Sequence, residues 1–216
     1  MDDHSAKLAN WLVHNEPDAP VVEISLKGGT YEFDCDSMFA VTGADCRCEL
    51  DGKEIPQYKT VMAARGDVLS IGAVSKGCYA CLGISGLSVP EVMNSASTYT
   101  PAAFGGIEGR KLAKGDLLQS ADISGYSPEI REIPRKLIPH FSGKITLRAI
   151  SGPEWEDLDP ADREQMLETE YTVAPNSNRM GIRLEADPLK VPELKEMTSS
   201  PCCSMHHQNL PVGVSS

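Results

Sequence analysis

Met38 to Asp45 reads MFAVTGAD, and shortly after it Glu49 to Ile55 reads ELDGKEI. The first run has the composition of a strand. The second carries Asp51-Gly52, a pair suited to a tight hairpin because both central residues of such a turn need positive φ. The same style recurs outward from this point. PVVEISLKGG (Pro20–Gly29) reads as a strand ended by glycines, and DVLSIGAV (Asp67–Val74), CYACLGIS (Cys78–Ser85) and KITLRAISG (Lys144–Gly152) read as further strands. Gly, Pro and Asp-Gly signals separate these runs at intervals typical of an all-β barrel or sandwich.

Two segments break the pattern towards helix. Over Asp3 to Asn15, Leu8, Trp11 and Leu12 recur at helical spacing. Pro160 to Glu168 has Asp159 at the N-cap, Pro160 at the first helical position, and Asp162 and Glu164 near the positive end of the helix dipole. His14 falls at the end of the first helix, where a cation suits the dipole. The expected class is mainly β with a few short helices.

Ser120 to Lys144 holds three prolines and few alternations, so it reads as a link between two β lobes. The expected organisation is a β-rich lobe over 1–120, a link over 121–143, a partial second lobe over 144–200 and a disordered tail over 201–216. The tail, PCCSMHHQNLPVGVSS, has no period of 2 or 3.6.

The chain has 216 residues, 41% hydrophobic and 24% charged, with a formal net charge of -11. A surface this acidic repels phosphate backbones and anionic membranes, which argues against nucleic acid or membrane as a partner. No run reaches the roughly 18 apolar residues that span a bilayer. The N-terminal stretch lacks the basic start and apolar core of a signal peptide, so the expected location is cytoplasmic. The seven cysteines are then expected as free thiols. DCRCEL and GCYACL have spacings that invite a metal reading, but Cys78 and Cys81 lie three apart on a strand and point to opposite faces.

Asn94 to Leu118 contains the hydroxyls of Ser97, Thr98 and Tyr99, then Gly105, Gly106, Gly109 and the charged fork of Arg110. That fork suits a carboxylate or phosphate, but the residues alone favour a β turn with glycines chosen for positive φ. It has no Walker pattern, so it is not a P-loop. Gly83 to Gly86, GISG, lacks the spacing of a nucleophile elbow. His140 has no evident acid–base partner. In TVAPNSNRMGIRLEA (Thr172–Ala186), Asn176, Ser177, Asn178 and Arg179 crowd between two strand-like runs. Such donors suit a planar anion or a urea-like group. They suit an Asx-turn holding a hairpin equally well.

Three stretches together resemble one family: VTGAD (Val41–Asp45), STYTPAAFGGIEGRKLAKGD (Ser97–Asp116) and YTVAPNSNRMGIRLE (Tyr171–Glu185). The resemblance is to the biotin-dependent carboxyltransferases, also called allophanate hydrolase subunit 2, and it covers about Met1 to Pro201. It implies cyclophilin-like β-barrel lobes and a heteromeric partner, a subunit-1-type homologue, joined by a third subunit in the oxoprolinase branch. It implies either ATP-dependent ring opening of 5-oxoproline to glutamate, or transfer of carboxyl from carboxybiotin to urea. ATP is expected in the complex, and biotin only on another chain, because no biotin-attachment motif occurs here. Asn176, Ser177 and Arg179 are the expected substrate-binding residues, with Thr98, Tyr99 and Arg110 beside them. No nucleophile or general base stands out. The family's upstream QDxGRxG-type and downstream QTTGGYP-type motifs are missing, and its double glycine reads Ser85-Gly86. The chain is therefore expected to be truncated at both ends. The alternatives are a regulatory protein that binds a subunit-1 partner as antagonist of a kinase inhibitor, and an inactive fragment.

Overall fold

The computed structural model describes residues 2–140, 145–147, 150–152, 155–156, 158–175, 177, 182–186 and 212–214. The chain divides into two compact units, Met1–Phe141 and Ser142–Ser216.

The first unit is built on two long strands. Helix α1 (Asp3–Leu12) comes first, then β1 (Val22–Ser25), β2 (Thr30–Glu32), β3 (Ser37–Leu50), β4 (Lys53–Ile55), β5 (Val61–Ala63) and β6 (Val68–Ile84). All pairings are antiparallel, in the order β1-β6-β3-β4, with β2 also on β6 and β5 also on β3. The β3–β4 turn is the one expected: Leu50 faces Lys53, and Asp51 and Gly52 have φ of 49° and 74°. DVLSIGAV and CYACLGIS, expected as separate strands, are the two halves of β6. Ser75-Lys76-Gly77 between them looks like a turn in sequence but is absorbed as irregular pairing against β3.

The first half of β3 is buried on both faces, and the pleat sends alternate residues to different cores. Phe39 and Val41 join Val22, Ile24, Leu69, Ile71 and Leu82 in the larger cluster. Met38 and Ala40 join Leu12 of the helix and Val13 just past it, with Tyr58 and Ile133, in the smaller one. Asp2 caps α1, its carboxylate accepting from the Ser5 amide at 3.0 Å and from the Ser5 hydroxyl at 2.6 Å. The helix stops at Leu12, three residues before the expected end, because the chain turns there to bury Val13 and takes a left-handed His14 (φ 58°). His14 therefore lies outside the helix, with its Nε2 2.9 Å from the Glu129 carbonyl. The turn lets Asn15 donate to the Ile84 carbonyl at 2.9 Å and accept from the Gly86 amide at 2.9 Å.

The stretch expected as a link is strapped to the first unit. The Thr60 amide donates to the Arg131 carbonyl at 2.9 Å, and the Ile133 amide to the Tyr58 carbonyl at 2.9 Å. Arg131 lies over the Trp11 ring at 4.8 Å and Ile133 is buried. In the second unit, β7 (Ile145–Leu147) pairs antiparallel with the last strand, Val212–Val214. That places three residues of the expected disordered tail in a ladder, and the rest of the tail lies outside the described residues. Helix α2 has the expected bounds, Pro160–Glu168, although Asp159 makes no side-chain cap. Strands β8 (Thr172–Val173) and β9 (Leu184–Glu185) form a hairpin. The chain is mainly β with two α-helices among the described residues.

The β3–β6 ladder breaks between Gly43 and Cys48, and side chains repair it. From Gly43 to Cys48, β3 takes five steps while β6, from Ala80 to Ile71, takes nine. Gly43 has φ of 88°, and a Cβ there would stand 2.6 Å from the Tyr79 carbonyl. The Tyr58 hydroxyl accepts from the Gly43 amide at 3.0 Å and donates to the Gly43 carbonyl at 2.7 Å. The Gln57 amide group accepts from the Cys46 amide at 3.1 Å and donates to the Ala44 carbonyl at 3.0 Å. Tyr58→Phe leaves two buried backbone groups unpaired and is expected to cost about 1–3 kcal/mol. Denaturant unfolding checks this, with Tyr126→Phe, at an exposed ring, expected to leave the midpoint unchanged.

Candidate functional site

The loop between β6 and the strap holds the densest set of candidate residues. The amide of Tyr99 donates to the Phe104 carbonyl at 2.7 Å and the amide of Phe104 returns to the Tyr99 carbonyl at 3.2 Å. Between them Thr100–Ala102 makes one 3-10 turn. Gly106 and Gly109 pack so closely that a Cβ would collide with the Thr98 hydroxyl in one case and the Ala103 carbonyl in the other. Positive φ and close approach together require glycine at both.

Arg110 closes this loop from within. Its Nη1 and Nη2 donate to the two oxygens of Asp116 at 2.7 Å and 2.9 Å, a bidentate fork. Its Nε donates to Glu108 at 3.0 Å, Nη2 lies 2.8 Å from the same carboxylate, and Nη1 also donates to the Lys111 carbonyl at 3.1 Å. Four of the five guanidinium N–H donors are thus hydrogen-bonded within the loop, and both nitrogens facing Glu108 lie in its ion pair. The carboxylate that the Arg110 fork suits is thus one from its own loop. Asp116 in turn accepts from the Ala113 amide at 2.7 Å. The Arg110 hydrogen bonds, then the Ala113 amide, hold the Asp116 carboxyl down at about 2.

The other expected residues fall elsewhere. Ser177 sits in the β8–β9 hairpin, where its hydroxyl accepts from the Arg183 amide at 2.9 Å and reaches the Arg183 carbonyl at 3.3 Å. Its amide donates to the Ala174 carbonyl at 3.0 Å, so the turn-holding role is the one seen at this residue. Asn176, Asn178 and Arg179 lie outside the described residues. Thr98, Tyr99 and Arg110 share one loop of the first unit, and Ser177 stands in the second. Sequence reasoning missed Glu108 and Asp116 as partners of Arg110. The available signal was the turn-forming Lys114-Gly115-Asp116, whose acid can reach back to an amide three residues earlier.

Among the described residues no group of three or more His, Cys, Asp or Glu could hold a metal ion. Cys78 is exposed and Cys81 buried, as the strand geometry requires. No helix of the described residues is long and apolar enough to cross a membrane.

Val41–Asp45, which leads into the bulge, the locked loop and the hairpin are the three stretches that carry the family resemblance. A family model for the carboxyltransferase domain, subdomain A and B, matches residues 1–212. The chain belongs to that family. It is 38% identical over 194 residues to urea amidolyase of Saccharomyces cerevisiae, covering 85% of this chain and 10% of the yeast protein. It is 33% identical over 200 residues to a 5-oxoprolinase subunit of Escherichia coli, covering 92% of this chain and 63% of the bacterial one. The crystal structure of Kluyveromyces lactis urea carboxylase superposes with a TM-score of 0.73 at 32% identity, over 86% of this chain and 18% of that one. The chain therefore spans less than two thirds of these relatives.

Asp116→Asn is expected to open the loop, and limited trypsinolysis after Lys111 and Lys114 should accelerate against an unchanged rate elsewhere. The pH dependence follows from the depressed Asp116 value. The lock is complete above the ordinary aspartate value of 3.8 and is lost as pH falls through about 2. Amide exchange at Ala113 should show that window.

Proposed function

We propose that this chain is a carboxyltransferase-domain subunit of an enzyme that acts on a small planar amide, of the class of urea or the lactam 5-oxoproline. The observation that carries the reading is the family match over residues 1–212, joined to relatives named as urea amidolyase and as a 5-oxoprolinase subunit. Both names concern substrates with one amide carbonyl to activate. In this reading Asn176 and Arg179 orient that group through planar donors, and Ser177 shapes the turn that carries them. Thr98 and Tyr99 are proposed as substrate contacts on their own loop. Arg110 is a positioning residue, which holds the loop that presents them.

In this reading the described loop does not bind a nucleotide phosphate; the pairing of the Arg110 guanidinium with two carboxylates of the same loop supports that view. ATP in this reading is bound by another chain of the complex, and biotin, where the reaction uses it, arrives on another chain. The partners proposed are a subunit-1-type homologue and, for the lactam reaction, a third subunit.

Co-expression with those partners tests the reading. Turnover of 5-oxoproline or urea that requires this chain supports it. Turnover by the partners alone, or tight assembly with no turnover of either compound, replaces it with a non-catalytic binding role. Within an active complex, Arg179→Ala is expected to lower kcat/KM about 10- to 100-fold, the worth of a charged hydrogen bond. An unchanged kcat/KM removes Arg179 from the site.

A further inference from the structure

Cys46 and Cys48 lie two apart on β3, so their side chains leave the same face of the strand. Their sulfurs stand 3.7 Å apart. Cys48 is 1% exposed within the larger core cluster, and Cys46 packs half-buried beside it. Opposite them, Cys46 faces Val74 and Cys48 faces Ile71, so β6 spends three steps where β3 spends two. The Cys46 backbone is pinned by its amide bond to Gln57 at 3.1 Å. The other described cysteines lack such a neighbour: Cys35 lies 3.6 Å from the Ser37 hydroxyl, and Cys78 and Cys81 differ in burial on β6.

The two thiols are chemically unequal. The hydrogen bond from Cys48 draws the Cys46 thiol below its ordinary value, against burial and the Asp45 charge. That same bond first, then burial, pushes Cys48 well up. The thiolate therefore forms at Cys46, on the half-exposed side, and the proton stays on Cys48.

We propose that Cys46 and Cys48 are an oxidisable dithiol that closes to an intrachain disulfide on reaction with a hydroperoxide. The Cys46 thiolate attacks one peroxide oxygen. The O–O bond breaks, the leaving alkoxide or hydroxide takes a proton to become an alcohol or water, and Cys46 becomes a sulfenic acid. The Cys48 sulfur then attacks the Cys46 sulfur. The S–O bond breaks and hydroxide leaves as water with the Cys48 proton. Two thiols are oxidised by two electrons and one hydroperoxide is reduced. Two residues of extended strand separate Cα atoms by about 6.6 Å, at the upper end of the roughly 4.4–6.8 Å that a disulfide spans, so closure draws the two Cβ atoms to about 3.5–4.5 Å and contracts β3 locally at its irregular pairing with β6.

Arg47 lies between the two cysteines, which makes the test direct. The folded full chain is treated with hydrogen peroxide, quenched in acid, blocked with maleimide and cut with trypsin without reductant. Residues 28 to 53 are expected as one species, nicked after Arg47 yet held together, lighter by two hydrogens, with maleimide on Cys35 alone. Maleimide on both Cys46 and Cys48, a link to Cys35, or Cys46 stopped as a sulfinic acid would each overturn the proposal. In Cys48→Ser, Cys46 is expected to take up dimedone as a trapped sulfenic acid. No dimedone on Cys46 would remove its attacking role.

Discussion

The first unit depends on a mismatch of length between two paired strands. Five steps of β3 are set against nine of β6, so the ladder must break between Gly43 and Cys48. On β3 the break begins at Gly43 and Ala44, which are buried, so their backbone donors and acceptors need partners that water cannot supply. Tyr58 and Gln57 supply the missing partners, and the break becomes a fixed feature instead of a fault. Burial pushes the Tyr58 hydroxyl up to about 12, so it stays a neutral donor across the ordinary pH range. The same place seats the helix, since Thr42 donates to the Ser5 carbonyl at 2.7 Å. The cores on both faces of β3 follow from that seating.

The three stretches that mark the family each fall where the chain leaves or turns out of a strand ladder. One is the bulge, one the glycine loop and one the β8–β9 hairpin. In the two that are described in full, the polar side chains serve the local backbone first. Arg110 shows why a charged fork in a glycine-rich loop does not by itself indicate a ligand. A guanidinium within reach of Glu108 and Asp116 binds those carboxylates at no cost in translational freedom, and a diffusible anion must compete with both. The loop is therefore closed by its own side chains before anything else can reach the guanidinium.

Much of the fold was legible from local chemistry. Asp51-Gly52 named its turn because few residue pairs tolerate two positive φ values. The bounds of α2 followed from Pro160 and the acids of its first turn. The opposite burial of Cys78 and Cys81 followed from the pleat alone. The misses have one physical origin. Ser75-Lys76-Gly77 has turn composition, yet β3 holds it inside a single strand. The helical spacing runs on to Asn15, yet the pull of Val13 into the smaller core ends the helix early. The prolines of 121–143 suggested a link between lobes, and only packing shows Arg131 and Ile133 of that stretch against the first unit. Of the candidate site, the sequence pointed to the loop and to the hairpin but not to the internal partners of Arg110.

By itself the sequence determined the strand-rich class, the tight turn, the second helix and the family, because each is encoded by residues adjacent in the chain. Only the tertiary structure decided which donors are already satisfied. Tyr58 meets Gly43 across 15 residues, Thr60 meets Leu12 across 48, and the Asn15 side chain meets Ile84 across 69. No local period records those pairings. They exist because buried polar groups must find partners wherever the packed chain brings them, and that is settled only when the two long strands have come together.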